Sequence, residues 1–531
     1  MKFKFSDVFS RITPEKIEYF KAKNIGRNSE SLRRLNELVI NERYITNNFE
    51  AEEVDFETFS WQKENMDRNW WWQTQSFPFL AWYVNARELL TDDEKLKIIR
   101  FCEKSVLRWI EKEEFQDPSN LVWHDHAASF RLSNLFNWLF SVFIDEKSQK
   151  LADDTIKEKD KIINFIYKHI AWISKDENYS RNTNHGLDQA SSVMFIGFYT
   201  CYLEWANFFD LATQRLHEEL EFAFTPEGVH KENSPAYHMF MLGRLKLFSE
   251  LSKFENNNFV QKAVELEEKA KVFLQALALP NGLLPMVGDT KGGLKVADNH
   301  FPEKLSVYDF CESGYFILKG IVAKKPLYLL VKCCFESSYH RHDDDLHIVL
   351  FYNDNVILGD GGLGSHDEKD PRRVRLRSYE CHNVPFIKEV APIRNISKLI
   401  GKSSLRYDYK NKVLTGNSYL FGARIVRKVD LKNIQLGEIT VFDSIDDDKF
   451  LVGQNFVFPQ ADSAIVFANE NRIDLMRDQN KILSIESIDP HVEKNTNSVP
   501  YSEKYGLYKK CLRLSFQSEY SSNLLTKINF I

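Results

Sequence analysis

The chain has 531 residues, more than one hydrophobic core usually serves, so two large domains are expected. With 43% hydrophobic and 27% charged residues it has the make-up of a folded globular protein, and a net charge of only −6 excludes the broad basic field of a nucleic-acid binder. Seven cysteines, an odd number in so long a chain, exclude a simple disulfide framework, and the adjacent Cys333 and Cys334 do not have metal-ligand spacing.

The N-terminus, MKFKFSDVFSRITPEKIEYF, lacks the unbroken apolar core of a signal peptide. No stretch approaches the ~20 apolar residues of a membrane span. As written, the sequence predicts a cytoplasmic protein, or a periplasmic one if a leader has been removed. The first fifty or so residues are charged and mixed, as expected of a few outer helices. Asn69-Trp70-Trp71-Trp72 follows, with Phe77, Phe79, Trp82 and Tyr83 close behind. Most of this aromatic area is expected in a core, with one or two rings lining a groove, because indole faces stack on sugars as well as on each other.

Helical periodicity is clear from here. Thr91-Asp92-Asp93-Glu94 has the form of a capping box, and Ile99, Cys102, Val106 and Ile110 follow at three- and four-residue spacing. Ile163, Ile166, Ile170 and Ile173 repeat the pattern, as do Phe259, Ala263, Leu266, Ala270, Phe273 and Leu277 before Pro280 and Gly282. Successive amphipathic helices predict helix pairs stacked about a common axis, as a toroid or an open solenoid. Three polar islands interrupt them: Trp123-His124-Asp125-His126 running on to Arg131, Arg181 to Gln189 around Asn184-His185-Gly186, and Phe224 to His238 ending in Ser234-Pro235-Ala236-Tyr237-His238. Each sits at a turn before a new helix, where sites gather; singly, each also reads as a cap or a buried polar anchor.

Pro285-Met286-Val287-Gly288-Asp289 closes the helical part. All ten tryptophans lie before residue 206, and strand-like alternation dominates after about residue 306. Tyr315 to Lys319, Leu327 to Phe335 and Ile348 to Tyr352 are expected strands, and Asn353-Asp354-Asn355 a hairpin turn into Val356 to Asp360. Ala423 to Leu431, Glu438 to Ile445, Ala464 to Phe467 and Ile482 to Ile488 continue the series, which predicts an antiparallel β-sandwich.

The densest polar stretch is Tyr339 to His347, Y-H-R-H-D-D-D-L-H. If extended, it would point His340 and His342 to one face, where two imidazoles serve acid/base work, a metal, or both. A solvated hairpin is the plain alternative. Arg372, Arg373, Arg375 and Arg377 follow, either a solvated edge or a contact for an acidic polymer.

The order N-H-G, S-P-x-Y-H, H-x-H, then G-D-G-G and C-H-N, from about Trp123 to about Ile387, resembles the heparinase II/III-like polysaccharide lyases, and with them the oligoalginate lyases and uronyl-epimerase domains. The resemblance implies an α+β two-domain fold, an N-terminal α/α toroid (1–305) followed by a C-terminal antiparallel β-sandwich (306–531). It implies a carbon–oxygen lyase acting by β-elimination on a uronic-acid-containing polysaccharide or oligosaccharide. Asn184 and His185 then match the pair that neutralises the uronate carboxylate, Tyr237 the base or acid, and His340 the histidine on the sandwich side. His342, Asp360 and His382 match the ligands of a structural zinc, with no organic cofactor. Arg131, His126, His238 and Arg375 are further candidates for substrate contact. The chain departs from the pattern at Asp360-Gly361-Gly362, where relatives often have Asp-Pro-Gly, and at His382-Asn383-Val384-Pro385 in place of His-Asn-Thr-Val. Asp343 and His347 are additional polar residues beside the cluster.

The chemistry needs such groups. Removing the C5 proton of a uronate builds charge on its carboxylate, which preorganised donors must neutralise. A phenol titrates near ~10, so Tyr237 is expected to need neighbouring cations to act as a base. It could return its proton to the C4 oxygen, and His340 could serve as base for the opposite C5 configuration. Two other classes use the same groups: a uronyl C5-epimerase, and a silent carbohydrate-binding or polymer-assembly protein.

Overall fold

The structure, a computed structural model, describes residues 2–47, 49–53, 67–112, 121–297, 300–333, 336–459, 464–469, 471–477 and 480–530. The chain forms two compact units, 1–222 and 223–531.

In the first unit, local chemistry sets the helix starts. Thr91 N donates to Glu94 Oε2 (2.8 Å) and Glu94 N to Thr91 Oγ1 (3.4 Å), so the capping box opens the helix Asp92–Lys112 as expected. Asn28 caps Ser29–Ile40 by accepting from Ser31 N. The helix Asp125–Lys147 packs against Pro78–Ala86, Lys159–Ile173 and Asn184–Thr200. It therefore buries residues on all sides, among them Leu132, Leu135, Trp138, Leu139 and Val142. Trp70, Trp71, Phe77, Phe79, Trp82 and Tyr83 are buried as expected of a core, each worth on the order of 2–3 kcal/mol relative to exposure. Trp72 is partly exposed, its ring 5.3 Å from that of His126.

The second unit begins with the helices Pro235–Ser249 and Asn258–Leu277, which pack on each other, and continues as antiparallel strands from Ser306. One sheet runs Ser306–Phe310, Tyr315–Val322, Lys325–Lys332, His347–Tyr352, Asn355–Leu358 in sequence order. A second orders Val492–Lys504, Leu507–Ser518, Val452–Phe458, Pro385–Ile387, and a third has, among the described residues, eight strands between Ser404 and Phe530. Phe316, Leu318, Leu329 and Leu350 of the first sheet share a core with Phe456, Leu514, Val441 and Ile528 of the others. Its opposite face, Ile317, Leu330, Val349 and Phe351, packs on Phe273, Leu274 and Leu277. A sheet covered on both sides calls for apolar residues on both faces, which is why YFILKGIV and HIVLFY do not alternate. Asn353 and Asp354 have φ of +48° and +65°, the left-handed pair that a two-residue hairpin uses.

Helices followed by antiparallel sheets is the expected fold class. The expected strand Leu327 to Phe335 is observed as Lys325–Lys332, while Cys334 and Phe335 lie outside the described residues. Among the described residues, no helix is long and apolar enough to cross a membrane.

Candidate active site and metal centre

Tyr237 stands in the first turn of the helix Pro235–Ser249, whose N1 proline fixes the entry of the chain. The loop carrying His340 comes to it because Asn233, just before that helix, donates from Nδ2 to Ser337 O (2.8 Å) and Tyr339 O (3.1 Å). The backbone of Gly288 passes between: a Cβ there would meet Asn233 O at 2.4 Å and His340 O at 3.0 Å, so only glycine fits. The Tyr237 and His340 rings stack with centroids 3.6 Å apart and planes 19° apart. The string expected to be extended is instead a loop with a turn, His340 itself lying at φ +55°, and strand begins only at His347. His340 and His342 still converge, through that turn and not through strand alternation.

They converge on Asp289. His340 Nδ1 donates to Asp289 Oδ2 (2.9 Å), and His342 Nε2 donates to Oδ1 (2.9 Å). Arg373 Nη2 adds a bond to Oδ2 (2.9 Å), with Nη1 2.6 Å from Oδ1. Burial alone would raise the Asp289 carboxyl, but the bonds from His340, His342 and Arg373 outweigh it and hold the group well below the usual carboxylate range. The remaining nitrogen of His340, Nε2, lies 3.4 Å from Glu232 Oε2. The Tyr237 phenol is pushed up, by burial first and then by the carboxylates of Asp289 and Glu232, against Arg373. The expectation of cations lowering the tyrosine is thus corrected: carboxylates crowd it.

His342, Asp360 and His382 each offer a ligand atom, all within 4.8 Å of one another and all buried. Two ring nitrogens here are buried without a hydrogen bond, Nδ1 of His342 and Nε2 of His382. Nitrogens orphaned in this way are what a metal satisfies, so the residues fit the group implied by the sequence. The C-H-N motif builds the floor. Asn383 Nδ2 donates to Ile348 O (2.7 Å) and Gly359 O (2.8 Å), and its backbone N donates to His347 Nδ1 (2.9 Å). That last bond leaves the His347 proton on Nε2, which faces Asp360 Oδ2 at 3.4 Å. Burial pushes His347 down to about 3, so it is a neutral support for the carboxylate.

The sequence profile described as Heparinase II/III N-terminus matches residues 14–312. The chain belongs to the heparinase II/III family. Its fold is similar to that of the heparan sulfate lyase HepC from Pedobacter heparinus (TM-score 0.74, 16% identity, covering 97% of this chain and 87% of that one). It is similar also to a heparinase III solved with methylated lysines (TM-score 0.75, 14% identity, 100% and 94% coverage) and to another heparinase III structure (TM-score 0.72, 14% identity, 100% and 94% coverage). A search of curated proteins found no match.

Other residues that the heparinase II/III resemblance singled out fall in the first unit. Asn184 is exposed at the start of the helix Asn184–Thr200. Gly186 permits that start, since a Cβ there would meet Ser180 O at 2.4 Å. His185 Nδ1 donates to Asp125 Oδ2 (3.1 Å), and the Ser180 hydroxyl donates to the same oxygen. His126 Nε2 donates to Asp188 Oδ2 (3.0 Å), and the His126 and His185 rings stack 4.0 Å apart.

Two expected substrate contacts are corrected. Arg131 is fully buried, giving Nε to His169 Nε2 (2.8 Å), Nη1 to Gln75 O (2.7 Å) and Nη2 to Val122 O (2.7 Å), so it anchors the core. His238 is buried too: Nδ1 accepts from His230 N (3.2 Å) and Nε2 donates to Ala270 O (2.9 Å). Arg375 is half exposed, near Ser498 O (3.4 Å) and Glu380 (3.5 Å). On the short helix Pro371–Leu376 it is Arg373 and Leu376, three apart, that turn inward. Asp125, Asp188, Glu232 and Asp289 were not among the candidates, although each lies in or beside one of the motifs, and Arg373, expected at a solvated edge or on an acidic polymer, is instead buried against Asp289.

Proposed function

We propose that this heparinase II/III family member is a polysaccharide lyase that cleaves a uronic-acid-containing acidic glycan by β-elimination. The observation that carries the reading is the stack of Tyr237 on His340 at 3.6 Å, a phenol and an imidazole side by side, both partly exposed. With Nδ1 engaged by Asp289, His340 presents Nε2. One of the two groups takes the C5 proton. The C5–H electrons form the C4–C5 double bond, the C4–O bond breaks, and the departing oxygen takes a proton from the phenol or the imidazolium. Pushed up by burial and by its carboxylate neighbours, the phenol keeps its proton at neutral pH and is a poor base, which favours His340 as base and leaves Tyr237 as proton donor to the leaving oxygen.

Asn184 and His185 are assigned by resemblance to neutralising the uronate carboxylate, and Asp125 would hold His185 for that task. His342, Asp360 and His382 would hold zinc, whose contribution is to fix the loops that bear the histidines. Because the similar structures include heparan sulfate lyase and heparinase III, heparan-type glycans head the substrate panel, with other uronate polymers beside them.

The test is incubation with that panel. New ultraviolet absorbance from a C4–C5 double bond is expected, and in Tyr237→Phe the rate should fall by about 10²–10⁴-fold with the melting temperature unchanged. Solvent deuterium entering C5 without new absorbance would replace the lyase by an epimerase. Binding with neither would leave a carbohydrate-binding protein.

A further inference from the structure

The two histidines of the H-x-H motif face different tasks, His340 beside Tyr237 and His342 in the metal-binding group. Their hydrogen bonds join them. Asp289 uses a different oxygen for each: Oδ2 for His340 Nδ1 and Oδ1 for His342 Nε2, both at 2.9 Å. An ionised carboxylate only accepts, so each of these nitrogens must carry a proton. The other nitrogen of each neutral ring then keeps its lone pair. For His342 that is Nδ1, an atom buried without a hydrogen bond on the residue that groups with Asp360 and His382. For His340 it is Nε2, on the side of Glu232, where a substrate proton could be received. Arg373 Nη1 is 3.4 Å from His342 Nε2, but it too is a donor, so the shorter carboxylate contact decides the tautomer.

We propose that Asp289 is a positioning residue shared by the metal centre and the candidate base, fixing His342 to ligate through Nδ1 and His340 to act through Nε2, so that metal occupancy and the placement of the base are coupled. The inference rests on the proposed lyase reading for the role of His340, but not for the metal or for the tautomers. Arg373 keeps the shared carboxylate in place: with three donors converging on it, Asp289 cannot swing toward one histidine without abandoning the other. Coupling of this kind is reciprocal, so a ligand that orders His340 should also tighten the metal.

The experiment uses the full chain stripped of metal and titrated with Co²⁺, read by its visible d–d bands. The parent should bind one Co²⁺. Asp289→Asn can offer one acceptor oxygen but must turn an N–H toward the other histidine, so Co²⁺ affinity should fall by about 10- to 100-fold. Its kcat should fall as well, with KM nearly unchanged. Tyr237→Phe should lose turnover and bind Co²⁺ like the parent, which separates failure of the lyase reading from failure of this one. Should Asp289→Asn fold poorly, ¹⁵N-histidine NMR of the parent reads the tautomers directly, with protons expected on His340 Nδ1 and His342 Nε2. Parental Co²⁺ affinity in Asp289→Asn, no Co²⁺ binding by the parent, or the opposite tautomer on either ring overturns the proposal.

Discussion

Each unit of the chain carries a group of histidines held by aspartates, and the two are built differently. In the first unit Asp125 meets two histidines near the surface, His124 at Oδ1 (2.9 Å) and His185 at Oδ2 (3.1 Å), and Asp188 holds His126; the His185 and His126 side chains are 34% and 15% exposed. Asp125 opens its helix, where Oδ1 also accepts from His126 N (2.6 Å), and Asp188 lies just past the first turn of the helix Asn184–Thr200. Partial burial would raise the Asp125 carboxyl, but the bonds from His124, His185, Ser180 and the His126 backbone hold it well below the usual carboxylate range. In the second unit the carboxylate shared by two histidines, Asp289, is almost wholly buried, and His340, His342 and Arg373 together keep it charged. The contrast teaches that the first group can be altered without unfolding its surroundings, whereas the second is part of what folds them.

The largest expected effect tests that second half. The loop bearing His340, His342 and His347 is pinned by Lys332 and Asp344, 2.7 Å apart with neither side chain exposed. Burial would raise Asp344, but the ammonium of Lys332 and the nearby His382 and His342 hold it well below the usual range. Lys332→Ala strands that charge in the interior, and breaking such a pair costs ~3–5 kcal/mol. Urea denaturation should show the loss, and a change below about 1 kcal/mol would mean that the loop is held by something else.

Periodicity made the helices and the apolar strands legible, because their cores demand it. It did not reveal the strand Val492–Lys504, VEKNTNSVPYSEK, a polar edge strand whose Pro500 costs little there. The H-x-H, S-P-x-Y-H and C-H-N motifs were readable because order and spacing survive in sequence. Asp289 was not: it lies about fifty residues before the histidines, in a stretch that looked like the end of the helical part, and only the close passage of Gly288 brings it to them. Arg131 and His238 misled for the opposite reason. A polar residue inside a motif looks exposed until its neighbours are placed, and both turned out to bond backbone carbonyls of the interior.

His238 sharpens the comparison from a third side, since it is a buried histidine with no carboxylate at all. Burial pushes it down to about 4, against about 6.5 in an unfolded chain. The unfolded state therefore binds more protons between these values, and stability rises with pH across that window. The contribution is complete above about pH 6.5 and should be lost on acidification toward about pH 4, amounting to roughly 3 kcal/mol. His238→Gln keeps a donor and an acceptor but removes the titration. Melting temperatures compared at roughly pH 7 and pH 5 should fall less in the variant than in the parent. Equal falls would show that His238 is not the group that charges.

The smallest effect on folding, and the most direct probe of the first unit, is Asp125→Asn. The amide keeps an oxygen to accept from His185 Nδ1 and from Ser180, so the local hydrogen bonds can persist. What disappears is the negative charge beside His185. If His185 neutralises a uronate carboxylate, kcat/KM should drop by about tenfold, or ~1.4 kcal/mol, while stability shifts by less than about 1 kcal/mol. Co²⁺ affinity should not move, because the metal group belongs to the second unit and relies on its own carboxylate. A variant that unfolds would erase the distinction between the two groups, and one with parental kcat/KM would reduce Asp125 to a helix cap.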